Sequence, residues 1–194
     1  MIVHGKTMDG RIVRFMKNGV TMLAANRKEN SVIPDMSIME NFYLAEHEIS
    51  ALKHPMINMR DENKRYGEQK ESLHIKAGSS SDSILSLSGG NQQKVFLARC
   101  LNIGADVLLF DNPTQGVDVG AKEEIYRLIL GFAEQGKTVI INTLEIPEIQ
   151  KVADRCVVFY EGSIIRTFQH DEVNEHDVML YSTNAIETIE EAAR

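Results

Sequence analysis

Two runs of residues constrain this chain more than any others. Leu87-Ser88-Gly89-Gly90-Asn91-Gln92-Gln93-Lys94 reads as a glycine turn feeding a helix, and Val107-Leu108-Leu109-Phe110-Asp111-Asn112 reads as a buried strand ending in an acid. A strand apolar on both faces belongs to a sheet covered by helices, because only then is neither face left in water. The rest of the pattern agrees. Residues 91–101 predict a helix with Val95, Ala98 and Leu101 on one face, and residues 121–134 one that turns Ile125, Leu128, Ile129 and Phe132 inward. Strands are expected at 138–141 and 155–160 around a short helix at 147–152, and Glu161-Gly162 makes a tight turn into Ser163-Ile164-Ile165. Alternating strands and helices imply an α/β fold with a mostly parallel sheet.

Upstream the signals are shorter. Residues 12–15 and 19–24 read as short strands, with a turn at Met8-Asp9-Gly10-Arg11. Ser37, followed three residues later by Glu40, is a capping box that opens a helix. Residues 50–84 are polar and fit two or so helices before a serine-rich loop, and the tail from Asp171 is polar and helical in pattern. At 194 residues, 43% hydrophobic and 25% charged, the chain has the makings of a core-bearing domain. Its net charge of -7 gives no pointer to nucleic acid as a partner. Cys100 and Cys156 sit in apolar runs, which suits buried thiols in a reducing compartment better than a disulfide. No apolar run reaches the ~18 residues of a membrane span, so a membrane role must come through a partner.

Ser88-Gly89-Gly90 carries the first chemical suggestion. A helix N-terminus presents unpaired N–H groups and partial positive charge, and glycines let that backbone approach an anion closely. Alone, the tripeptide reads first as a plain N-cap with a flexible lead-in. Its extension through Asn91, Gln92, Gln93, Lys94 and Arg99 is more specific.

With that extension the chain resembles the nucleotide-binding subunits of ABC transporters. More narrowly, it resembles the second ATP-binding domain of the tandem subunits that drive bacterial import of ribose, galactose, xylose and related sugars. The resemblance rests on residues 87–99, on Asp111-Asn112-Pro113-Thr114-Gln115-Gly116-Val117-Asp118-Val119-Gly120-Ala121-Lys122, on Glu145-Ile146-Pro147-Glu148 and on Met36-Ser37-Ile38-Met39-Glu40-Asn41. It implies a P-loop NTPase core without the phosphate-loop strand and helix, plus a helical subdomain and a short N-terminal β strip. The implied boundaries are a β-rich strip at 1–34, the helical subdomain at 35–99, the α/β core at 100–170 and a tail at 171–194. It implies ATP and Mg²⁺ as cofactors. Ser88, Gly89, Gly90, Asn91, Gln92 and Asp118 would face nucleotide, and Asp111 would help hold Mg²⁺. Another nucleotide-binding domain and membrane permease subunits are the implied partners, with a periplasmic or lipoprotein sugar-binding protein acting through them. The implied location is the cytoplasmic face of the membrane.

Departures from the family pattern cluster near the metal and water. The position after Asp111 is normally a Glu that polarises the attacking water; here it is Asn112, and an amide can orient water but cannot take its proton. The family's switch histidine falls near Leu144, which can make no polar contact and either leaves that role vacant or fills a gap beneath its loop. The permease-coupling loop usually carries Glu-Asp-Arg-Lys; Ala25 and Asn26 replace the acids, while Arg27 and Lys28 remain. Gly5-Lys6-Thr7 is the tempting candidate for a phosphate loop, but a turn follows it where a helix is required. The chain is therefore expected to begin downstream of that loop, as a truncated product, a remnant or a split subunit, and to bind ATP weakly when alone. Two functions are compatible with this: an impaired transporter ATPase, or a non-catalytic pairing or regulatory partner.

Overall fold

The computed structural model describes residues 2–3, 5–7, 10–26, 31–50 and 58–185, in two compact units, Met1–Asn142 and Thr143–Arg194. The division falls inside the stretch 100–170.

The first unit begins with a small antiparallel hairpin, β1 (Ile2–Val3) and β2 (Lys6–Thr7), with Gly5 at φ +74° in its turn. The turn thus lies earlier than residues 8–11, of which Met8 and Asp9 are outside the described residues. Residues 12–15 are not a strand. They form a short helix, α1 (Ile12–Met16), closed by Asn18 Nδ2 donating to the Arg14 carbonyl at 2.8 Å and by Gly19 at φ +79°. The apolar run misleads because no neighbouring strand pairs with it. One turn of helix suffices to set Phe15 against Val20, on which Val107 and Leu109 also pack.

Three strands, β3 (Val20–Leu23), β4 (Val107–Asp111) and β5 (Thr138–Asn142), make a parallel sheet in the order β3-β4-β5. Val20, Val107 and Thr138 stand in register, as do Met22, Leu109 and Ile140. Successive side chains alternate faces. Leu23, Leu108 and Phe110 share the buried face, whereas on the other Met22 is 58% and Ile140 52% exposed.

Between β3 and β4 lie α2 (Ile38–Ser50), α3 (Met59–Ser72), a short 3₁₀ turn at Ile84–Ser86 and α4 (Gly89–Asn102). The capping box forms: Glu40 Oε2 accepts from the Ser37 N–H at 2.7 Å while Ser37 Oγ accepts from the Glu40 N–H at 3.2 Å. Phe42 of α2 meets Tyr66 of α3 edge-on at 5.1 Å, Tyr43 donates to the Glu62 carbonyl at 3.0 Å, and Arg65 grips Glu46 with two bonds of 2.9 Å. α4 is apolar on more than one face, burying Val95, Phe96, Leu97, Ala98 and Cys100 between α2 and the sheet. α5 (Val119–Glu134) crosses from β4 to β5 and buries Ile125, Tyr126, Ile129 and Phe132.

The second unit holds α6 (Ile146–Val152), the antiparallel pair β6 (Arg155–Tyr160) and β7 (Ser163–Gln169), and α7 (Glu175–Ser182). Glu161 at φ +46° and Gly162 at φ +80° form the expected tight turn; two positive φ values match the right-handed twist of the strands. Its core is Cys156, Val158, Phe168, Val173 and Val178. No described helix is long and apolar enough to cross a membrane.

Candidate functional site

The glycine turn is built as its sequence requires. Ser88 is the N-cap of α4; its Oγ accepts from the Asn91 backbone N–H at 3.5 Å and from Asn91 Nδ2 at 2.9 Å. An oxygen accepting twice still has its own proton to donate, and Ser88 is exposed. Asn91 turns its other end inward, where Oδ1 accepts from the Lys76 N–H at 2.8 Å. Gln92, expected beside nucleotide, is buried: its Nε2 donates to the carbonyls of Ile84 and Leu87, both at 3.2 Å, and so fixes the turn below α4. Lys94 is buried too, donating to the His74 carbonyl and to Glu124, whose carboxyl it holds below the ordinary range.

Gly90 is a packing residue. A Cβ built there would stand 2.5 Å from the Cβ of Ala121 in the first turn of α5. That same turn is capped by Asp118, whose Oδ1 accepts from the Ala121 N–H at 2.9 Å. The close approach of Gly90 to Ala121 and Val117 therefore brings the helix start capped by Ser88 against the one capped by Asp118, although the sequence separates them by a strand. Asp118 is a helix cap, and it remains exposed for a second role.

The second cluster sits at the C-terminal ends of β4 and β5, where open α/β sheets bind ligands. Asp111 pairs with Asn142 across the two strands. Asn142 Nδ2 donates to Asp111 Oδ1 at 2.8 Å, Asn112 Nδ2 reaches the same oxygen at 3.3 Å, and the Asn112 N–H donates to the Asn142 carbonyl at 2.8 Å. Asn112 lies at φ +47°, a left-handed conformation that Asn tolerates better than Glu. Nothing in the sequence singled out Asn142. The only available signal was a polar residue ending an apolar strand.

Asp111 is one carboxylate, and among the described residues no three His, Cys, Asp or Glu side chains gather to hold a metal. That fits Mg²⁺ shared between one carboxylate, waters and nucleotide phosphates; it does not fit an all-protein cage. Two runs spell part or all of a phosphate loop, and neither has the geometry. Lys6 lies in β2 of the hairpin. Gly131-Phe132-Ala133-Glu134-Gln135-Gly136-Lys137-Thr138 has the full spacing, yet it runs from the end of α5 into β5, helix to strand, the reverse of a phosphate loop. Gly136 at φ +83° ends the helix, and Lys137 Nζ donates to the Ala105 carbonyl at 2.7 Å.

Ala25 is half-buried, Asn26 is exposed at φ +54°, and Arg27 and Lys28 lie outside the described residues. Leu144 belongs to the second unit and is 91% exposed, so it fills no gap beneath its loop. Sequence reasoning also missed the structural weight of Arg99. From α4 it donates to the carbonyls of Asn41 at 2.7 Å and Ser31 at 2.8 Å, and to Asn41 Oδ1 at 3.0 Å. Burial pushes its guanidinium down to about 10, still charged at neutral pH.

A sequence profile of the family described as ABC transporter matches residues 1–115. The ribose import ATP-binding protein RbsA of Hahella chejuensis is 37% identical over 171 residues, covering 88% of this chain and 34% of that protein. The arabinose import ATP-binding protein AraG of Vibrio parahaemolyticus is 34% identical over 178 residues, covering 91% of this chain and 35% of that protein. The chain thus spans 34% and 35% of the length of these curated relatives. Among solved structures, the ATP-binding cassette MJ0796 in a dimeric post-hydrolysis state with ADP and phosphate superposes with a TM-score of 0.68 at 23% identity, over 87% of this chain and 72% of that one. At that identity the likeness concerns the fold.

Proposed function

The chain belongs to the ABC transporter family, and from that membership we propose that it is the nucleotide-binding component of an ATP-driven sugar importer, weakened in hydrolysis. The observation that carries this reading is the close approach of Gly90, in the Ser88-capped helix start, to Ala121, in the helix start that Asp118 caps, in a chain similar to ribose and arabinose import ATP-binding proteins. In this reading Ser88 and Gly89 close on the outer phosphate of ATP held by a second nucleotide-binding domain, and Asp118 reaches toward that domain. Asp111 serves Mg²⁺. Ala25, Asn26 and Arg27 face a membrane permease, so the chain works at the cytoplasmic side of the membrane, and a sugar-binding protein delivers cargo from the other side.

Weakened hydrolysis follows from Asn112, which can orient the attacking water but cannot accept its proton. A general base contributes about 10²–10⁴-fold, equivalent to about 3–5 kcal/mol of barrier. A Glu at φ +47° is strained by about 1–2 kcal/mol, so the base wins. The test uses the chain fused to a phosphate loop and mixed with an intact partner domain, with and without Asn112→Glu. Phosphate release is expected to rise by about 10²–10⁴-fold in the Glu variant. Equal and fast turnover in both would show that Asn112 is no lesion. The unfused chain is expected to bind ATP weakly, and micromolar affinity by calorimetry would overturn that. A second reading, a non-catalytic pairing partner, is favoured by Leu144, an exposed apolar residue at the switch position. Pairing without turnover in the Glu variant would select it.

A further inference from the structure

We propose that Asn142 is the positioning residue of the Asp111 carboxylate: it fixes the side chain through Oδ1 and leaves Oδ2 to meet a divalent cation. This rests on Asp111 being the metal carboxylate of the proposed function. Asn142 holds the Asp111-Asn112 corner by two bonds of 2.8 Å, its carbonyl accepting from the Asn112 N–H and its Nδ2 donating to Asp111 Oδ1. The orientation of the Asn142 amide is settled by its partner, since an ionised carboxylate only accepts and the nitrogen must face it. Asn112 Nδ2 adds a longer contact of 3.3 Å to the same oxygen. Both donors therefore converge on Oδ1, and among the described residues Oδ2 accepts no hydrogen bond.

The arrangement is one of register. β4 and β5 are apolar through Phe110 and Ile141 and become polar at the same rung, Asp111 opposite Asn142. A carboxylate on a sheet rim has rotamers to choose from. One bonded to the neighbouring strand does not, and partners of this kind change metal affinity by about 10–100-fold when removed.

The experiment uses the ¹⁵N-labelled 194-residue chain titrated with MnCl₂ alone, and follows paramagnetic broadening of the amides of Phe110, Asp111 and Asn112. Four proteins are compared: the unaltered chain, Asp111→Asn, Asn142→Ala and Asn142→Asp. Their amide spectra report whether each is folded. The expected result is local broadening that Asp111→Asn abolishes and that needs about 10–100-fold more Mn²⁺ in Asn142→Ala. Asn142→Asp keeps the shape of the side chain and places a second carboxylate beside the first, so it should need less Mn²⁺ than the unaltered chain. A merely structural role predicts that Asn142→Ala shifts amides well beyond the ends of β4 and β5 and loses Mn²⁺ affinity only in step with lost folding, and that result overturns the inference. So does an Asn142→Ala titration equal to that of the unaltered chain while Asp111→Asn still abolishes broadening. If Asp111→Asn broadens like the unaltered chain, the metal role of Asp111 falls, and the role of Asn142 with it.

Discussion

Replacing Gly90 by Ala should destabilise this chain even though Ala is the better helix former. The added Cβ would lie 2.5 Å from the Cβ of Ala121. Non-bonded carbons rest at about 3.5–4.0 Å, so α4 and α5 must part by about 1 Å or tilt. Overpacking of this kind costs about 1–3 kcal/mol, and the gain in helix propensity returns at most about 1 kcal/mol. A net loss of about 1–2 kcal/mol is expected. The obstacle is a single methyl group. With Ala121→Gly in the same chain, the Val117 Cγ1 at 3.7 Å is an ordinary contact, and the two substitutions should offset one another. The double-mutant cycle should show a coupling of about 1–2 kcal/mol. Urea unfolding followed by far-UV circular dichroism measures it, the chain having no Trp for fluorescence. If Gly90→Ala raises the unfolding midpoint, or if Ala121→Gly fails to relieve it, the two helix starts are not in contact. The case for Ser88 and Asp118 as neighbours then fails with them.

Other consequences can be measured on the same material. Arg99→Met should cost about 3 kcal/mol, because the carbonyls of Ser31 and Asn41 lose a charged donor; a change under about 0.5 kcal/mol in urea unfolding would show that Arg99 is not a tie. Arg99→Lys should recover only part, since one ammonium lacks the planar fork that reaches both carbonyls. The cap on α2 should depend on pH: hydrogen bonds from Ser37 hold the Glu40 carboxyl below its ordinary 4.5, so its contribution is complete above that value and fades as the pH falls through the lowered one. Ser37→Ala should flatten that part of the stability-pH profile, and an unchanged profile counts against the cap. Cys100 and Cys156 are buried with thiols pushed up by burial, Cys100 to about 11, so neither should react with a disulfide reagent until the chain unfolds; fast labelling of the native protein would contradict this.

Local chemistry explains what could be read in advance. Ser37 and Ser88 were recognisable as helix starts because a cap is decided within three or four residues. β4 and β5 were recognisable because each carries an unbroken apolar run, 107–110 and 139–141. What could not be read is what depends on distant partners. The tie from Arg99 reaches back 68 residues to Ser31, and the Asn142 amide reaches back 31 to Asp111. Gly90 looked like an anion turn and is equally a place where two helices touch. Residues 12–15 had strand composition with no strand to pair with. The Gly131 to Thr138 run has the spelling of a phosphate loop, and only the order of helix and strand reveals that it is a helix end.

Met22 and Ile140, in register on either side of the half-buried Leu109, leave an apolar row partly exposed on one face of the sheet. For the cell, that line is a matter of housekeeping. Exposed apolar rows are what chaperones hold and what proteases exploit once a chain opens. A loss of about 1–2 kcal/mol in stability is therefore expected to lower the amount of the protein in a cell several-fold.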